Sequence, residues 1–126
     1  MAECAALLHV SLTQLKKDRE NMITAFARQY HCTLLCKDAR SMAATWDRPK
    51  VYLNVSGSEA LAKAGSGDVL CGIIAALMGQ GMSGFEAACA GSYLHGCAAQ
   101  HSYDGPHSRT LLAMDLASAL DSEITC

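Results

Sequence analysis

Apolar and polar positions follow two different periods along this chain. Leu12, Leu15, Met22, Ile23 and Phe26 recur at mixed spacings of three and four, which gathers side chains on one helix face. With Ser11 as N-cap, the spacing predicts an amphipathic surface helix from Leu12 to about Tyr30. Ala2 to His9 predicts a short helix before it. From Cys32 the period changes. Cys32-Thr-Leu-Leu-Cys36 lacks alternation and predicts a strand covered on both faces. Lys37 to Arg40 predicts a turn, Ser41 to Thr45 a second strand, and Trp46 to Pro49 a connection. Lys50 to Val55 gives the clearest strand signal. Ser56 to Gly67 is polar and small. An apolar helix is expected from about Gly67 to Gln80, stopped by Gly79-Gln80-Gly81. Ser83 and Glu86 fit a capping box, and the helix they open should reach about His101. Ser102 to Arg109 predicts a loop turning at Asp104-Gly105-Pro106. A last helix is expected from Leu111 or Leu112 to about Leu120, with Thr110 at its start.

The elements do not balance. Three short strands leave several helices to cover, and the Ser83–His101 helix is dense in Ala, Gly, Ser and Cys. A face of such small residues implies close packing on a helix or a sheet. This predicts a piece of a larger α/β domain whose earlier strands are absent, with a compact small α+β domain as the alternative. Composition points the same way. Charged residues are 17% and apolar residues 51% of the 126, so some of the surface is expected to be covered by a partner subunit or by other parts of the domain. The net charge of −2 comes without a basic block and excludes nucleic acid as the expected partner. Val69 to Gly79, the longest apolar run, is too short to cross a membrane, which takes ~20 residues. Seven irregularly spaced cysteines with no preceding signal peptide predict reduced thiols in a cytoplasmic protein. No Cys-x-x-Cys pair occurs, and no metal site is read. His95 reads as a core or interface histidine, His101 and His107 as solvated ones.

The candidate chemistry lies at Ala64-Gly65-Ser66-Gly67-Asp68. Glycines open backbone angles closed to other residues, so successive N–H groups can converge on one point. The first turn of the following helix leaves N–H groups unpaired, and its dipole favours an anion. Together they predict a phosphate or oxyanion cradle. Asp68, in that first turn, is either a helix-start residue or a carboxylate set to take a proton from a hydroxyl or to orient a metal. The pattern is neither a dinucleotide fingerprint nor a P-loop, because Lys63 precedes the glycines.

The wider stretch Asn54 to Gly81 resembles the signature of the NAD(P)H-hydrate dehydratases, repair enzymes of ribokinase-like fold. Glu86-Ala-Ala88, Gly91-Ser-Tyr-Leu-His-Gly96 and Leu112-Ala-Met-Asp-Leu116 resemble the family's next helix and closing segment. Upstream, Lys37-Asp-Ala-Arg-Ser41 resembles its Lys-Gly-Ala-x-Thr turn, and Glu3 with Leu7-Leu8 resembles the end of its His-Pro-x-Glu segment. Two positions depart. Asp38 replaces a glycine and adds negative charge near an expected nucleotide. Ser58 replaces the usual asparagine and removes an amide from the pocket.

The resemblance implies that residues 1–126 are an incomplete, C-terminal portion of a ribokinase-like α/β domain. It implies dehydration of (S)-NAD(P)H-hydrate, driven by ADP or ATP with Mg2+, through phosphorylation of the hydroxyl and loss of phosphate. Gly65, Ser66 and Gly67, with Ala64 beside them, would hold the transferring phosphoryl group, and Asp68 would take the hydroxyl proton. Phosphoryl transfer is mostly positioning and charge stabilisation, so a backbone cradle suits it. Lys63 would add positive charge. Lys37 matches a lysine near the nucleotide, and Asn54, Ser56 and Gly57 match the strand end before the nucleotide loop. The resemblance also implies a homo-oligomer, and an NAD(P)H-hydrate epimerase as pathway partner. Two alternatives stand beside it: a small-molecule kinase of the same fold, and an inactive truncated fragment.

Overall fold

The computed structural model describes residues 1–103 and 112–124. The chain forms two compact units, Met1–Leu53 and Asn54–Cys126.

The first unit opens with α1 (Ala2–Leu7), α2 (Leu12–Lys17) and α3 (Arg19–Tyr30). Ser11 caps α2 in a full capping box. Its Oγ accepts from the Gln14 N–H at 3.2 Å, and its own N–H donates to Gln14 Oε1 at 2.8 Å. The single helix expected over 12–30 is two helices, broken at Asp18, where φ is −141° and ψ 41°. Asp18 Oδ1 accepts from the Asn21 side chain, Nδ2, at 2.6 Å. Leu15 from α2 and Ile23 and Ala27 from α3 are fully buried in one core with Cys4, Ala5, Cys36 and Ala44. Leu12, assigned to the same stripe, is exposed.

Three antiparallel strands follow in the order β1 (Thr33–Cys36), β2 (Met42–Thr45), β3 (Tyr52–Leu53). Thr33 faces Thr45, and their hydroxyls bond at 3.2 Å. The strand expected over Lys50–Val55 is reduced to two paired residues. Its register explains this: Leu53 already faces Met42, the first residue of β2. Asn54 and Val55 would have to pair with the turn that precedes Met42.

Sulfur dominates one corner of this core. Cys36 Sγ lies 3.5 Å from Met1 Sδ, and burial beside Cys36 pushes the Cys4 thiol up to about 12. Burial disfavours the thiolate, and the Cys36 contact favours the protonated form. The folded pKa lies above the ordinary thiol value, so this stabilisation is complete below about pH 9 and is lost as pH rises towards 12. Urea unfolding followed from pH 8 to 11 should show stability falling across that window. Cys4→Ala should flatten the slope, and an unchanged slope would refute the assignment.

The second unit contains a short 3-10 turn (Glu59–Leu61), α4 (Ser66–Gly79), α5 (Gly84–Tyr103) and α6 (Ala113–Ile124). Gly81, at φ +98°, ends α4, with the Met82 N–H returned to the Leu77 carbonyl at 3.2 Å. This is the Schellman arrangement that the Gly79–Gly81 stop predicted. The Ser83–Glu86 box forms as expected, each residue's N–H donating to the other's side chain. The expected turn at Asp104–Pro106, together with Thr110 and His107, lies outside the described residues. His101 belongs to α5 and is exposed.

The small face of α5 permits close approach. A Cβ on Gly91 would sit 2.8 Å from Ile74 Cγ1 of α4, and one on Gly96 would sit 2.7 Å from the Ser56 carbonyl carbon and meet the Ser56 side chain. Ala99 and Leu116 join α5 to α6, with Leu61 and Val69 packed against them.

Candidate active site

The site begins where the chain leaves the Asn54–Ser58 segment. This segment lies along α5 because its polar groups bond to α5 carbonyls. Asn54 Nδ2 donates to the carbonyls of Ser56 at 3.1 Å and Ser92 at 3.2 Å. Ser56 Oγ bridges Asn54 Oδ1 and the Tyr93 carbonyl, each at 3.0 Å, and Ser58 Oγ donates to the Ala99 carbonyl at 3.1 Å. Those carbonyls lie in the middle of α5, so these are side-chain anchors and not caps. Gly57, at φ +131°, turns the chain away, and a Cβ there would meet Leu61 at 3.3 Å.

The 3-10 turn then leads to Lys63, Ala64 and the cradle. Gly65 is the N-cap of α4 in the left-handed region, φ +84° and ψ −15°. Its carbonyl accepts from the N–H groups of Asp68 and Val69, both at 3.1 Å. Ser66 is buried. Its Oγ donates to the Leu61 carbonyl at 2.8 Å and its N–H to the Lys63 carbonyl at 3.3 Å. Both Ser66 donors are therefore committed to holding the turn. Among the described residues, the N–H groups of Gly65 and Gly67 donate to none. They remain available at the positive end of a three-to-four-turn helix.

Asp68 is exposed in the first turn of α4 and is the last charged residue of that helix. The contiguous set Lys63, Ala64, Gly65, Ser66, Gly67 and Asp68 thus shares one turn. Asn54, Ser56 and Gly57 are seated just upstream, with both side chains turned towards α5. Lys37 belongs to the first unit, exposed after β1, where its carbonyl accepts from the Met1 ammonium at 2.7 Å. The charge introduced by Asp38 is matched within that unit by Arg19 at 3.3 Å.

Sequence reasoning missed the α5 backbone as part of this architecture. The carbonyls of Ser92 and Tyr93 and the bare Cα of Gly96 fix the segment that leads into the cradle. The small-residue character of α5 was visible, but which glycine faces which residue is a long-range fact.

Gly65 can be tested directly. Alanine there meets the left-handed penalty of ~1–2 kcal/mol and a 3.0 Å contact with Ala113 Cβ. Gly65→Ala should lower stability by about 2 kcal/mol in urea unfolding; no loss would mean that Gly65 leaves the left-handed region at no cost.

Comparison with known proteins bears on this geometry. The family model for NAD(P)H-hydrate dehydratase matches residues 1–122. The chain belongs to the NAD(P)H-hydrate dehydratase family. It is 44% identical over 98 residues to the ADP-dependent (S)-NAD(P)H-hydrate dehydratase of Neisseria meningitidis, covering 78% of this chain and 33% of that protein. It is 41% identical over 118 residues to the bifunctional NAD(P)H-hydrate repair enzyme Nnr of Moorella thermoacetica, covering 94% of this chain and 22% of that one. The solved ADP/ATP-dependent NAD(P)H-hydrate dehydratase of Bacillus subtilis, co-crystallised with ATP/Mg2+, superposes at a TM-score of 0.90 and 29% identity. That match covers 98% of this chain and 44% of the other. The fold is thus the expected ribokinase-like α/β class, and the chain spans less than half the length of these dehydratases. No helix among the described residues is long and apolar enough to cross a membrane.

Proposed function

We propose that this chain carries the phosphoryl-transfer centre of an ADP- or ATP-dependent (S)-NAD(P)H-hydrate dehydratase. One observation carries the reading: the Gly65 and Gly67 N–H groups stand unengaged at the start of α4, one residue from an exposed carboxylate. A cradle of this kind fits an anion, and Asp68 fits a general base beside it. The nucleotide supplies the phosphoryl group that turns a poor hydroxyl leaving group into a good one. The chain's own residues do the rest. Gly65 and Gly67 orient and stabilise the phosphoryl oxygens, Ser66 holds the turn, and Lys63 adds positive charge beside it. Asp68 accepts the proton of the substrate hydroxyl on the nicotinamide ring. Ala64 borders the cradle without a functional group of its own. Asn54, Ser56 and Gly57 are assigned to the nucleotide's side of the site, the first two through backbone groups because their side chains hold α5.

Mg2+ use is supported by the chemistry of the donor set. Among the described residues no three His, Cys, Asp or Glu converge. Mg2+ characteristically takes one or two carboxylates together with phosphate oxygens and water. It would therefore be held by the nucleotide's phosphate oxygens and water, leaving Asp68 to the substrate hydroxyl. The six described free cysteines support a reducing, cytoplasmic setting. The resemblance to the dehydratases supports an NAD(P)H-hydrate epimerase as pathway partner, and exposed Leu112 and Met114 support a homo-oligomer.

The test uses the protein that carries this chain, supplied with hydrated NADH and either ADP or ATP. Nucleotide-dependent return of NADH absorbance, with one phosphate released per NADH, is the expected result. Phosphoryl transfer to a stable acceptor without NADH recovery would instead make it a small-molecule kinase.

A further inference from the structure

The first turn of α6 backs the glycine cradle at three points. A Cβ on Gly65 would meet Ala113 Cβ at 3.0 Å, and among the described residues no other atom beyond its chain neighbours comes within 4 Å of it. Ala113 is thus the wall behind Gly65. Leu116, buried one turn on, packs against Leu61 and Val69. Those two residues bracket the cradle. The Leu61 carbonyl accepts the Ser66 hydroxyl at 2.8 Å, and the Val69 N–H donates to the Gly65 carbonyl at 3.1 Å.

The start of α6 is itself tied by one side chain. Asp115 Oδ2 accepts from the Leu112 N–H at 2.7 Å, and the Asp115 N–H donates to the Leu112 carbonyl at 3.1 Å. This is half of a capping box, since Leu112 at the N-cap has no side-chain acceptor to offer in return. Leu112 and Met114 are 67% and 72% exposed, and Asp115 is exposed as well. Burial therefore does little to hold the turn, and the carboxylate bond carries that task. Where that bond is lost, the end of the helix frays and Ala113 withdraws from Gly65. A glycine without its wall has the widest backbone freedom of any residue. The N–H groups of Gly65 and Gly67 would then no longer converge.

We infer that Asp115 is a positioning residue for phosphoryl transfer: by capping α6 it holds Ala113 against Gly65 and keeps the cradle in shape. The inference rests on the reading of that cradle as the phosphoryl-transfer centre. Asp115 acts through Ala113 and Gly65, and its bond to Leu112 needs an oxygen acceptor, not a charge. Asparagine should therefore replace it.

Two measurements on the protein that carries this chain test it. In hydrogen exchange read by peptide mass spectrometry, Asp115→Ala should speed exchange at residues 65–69 about fivefold. Asp115→Asn should restore the parent rate. Ser118→Ala, which removes a surface bond to the Met114 carbonyl farther along α6, should leave it unchanged. In hydrate turnover with ADP or ATP, where every variant is fully folded, Asp115→Ala should lower kcat about tenfold with KM values within about twofold. Asp115→Asn should stay within about twofold of the parent. A cap that only stabilises the helix would lower the unfolding midpoint and leave kcat alone, and that result overturns the inference. Unchanged exchange at 65–69 overturns it too, as does an Asn variant as impaired as the Ala variant. A parent protein without hydrate turnover counts against the dehydratase reading, and the exchange rates then still decide whether Asp115 holds the turn.

Discussion

Alanine at Gly96 is expected to destabilise the second unit by at least about 3 kcal/mol. Two costs combine. The added Cβ would sit 2.7 Å from the Ser56 carbonyl carbon and overlap the Ser56 hydroxyl. Overpacking of this kind costs typically 1–3 kcal/mol when flexible side chains can move aside. Here one obstacle is backbone. The other is a hydroxyl that bridges Asn54 and the Tyr93 carbonyl, so moving it strands buried polar groups at ~1–3 kcal/mol more. Gly72→Ala is the control. A Cβ there meets nothing within 4 Å, and alanine gains ~0.5–1 kcal/mol of helix propensity. Urea unfolding should therefore move in opposite directions for the two variants. If both lower stability equally, glycine content of the helices, and not the α5 contact with Ser56, sets the effect.

The contrast between these glycines marks where sequence reading stops. Caps were legible because their signals are local: Ser11 just before the helical stripe, and Ser83 with Glu86 three residues on. The Gly65–Gly67 turn was legible because glycine next to an apolar helical run has a local meaning. The break at Asp18 was hidden because the apolar stripe continues across it, so the spacing carries no sign of the extended φ of −141° there. The length of β3 was hidden because it depends on where β2 begins. The roles of Asn54 and Ser56 were hidden for the same kind of reason. Their types fit a nucleotide pocket, but α5 carbonyls some forty residues away in sequence take their side chains. Local chemistry is written in the chain, whereas register and long-range contact are solved only by folding.

Asp68→Asn is expected to lower ADP- or ATP-dependent hydrate turnover by ~10^2 to 10^4-fold, the usual worth of a positioned general base. The amide keeps the shape of the carboxylate but cannot accept the hydroxyl proton. The fold should survive, because Asp68 is exposed and its carboxylate contributes only a helix-start interaction of ~0.3–1 kcal/mol. The loss should fall on kcat, with the nucleotide KM little changed, since the Gly65 and Gly67 N–H groups, proposed to receive the phosphoryl oxygens, are untouched. Ser66→Ala separates positioning from proton transfer. It removes the 2.8 Å bond to the Leu61 carbonyl and should cost ~1 kcal/mol of stability with a much smaller loss of rate. Asp68→Asn retaining a rate within threefold of the parent would remove this carboxylate from the reaction. The glycine turn would then be a cap on α4 and the proton acceptor would lie elsewhere.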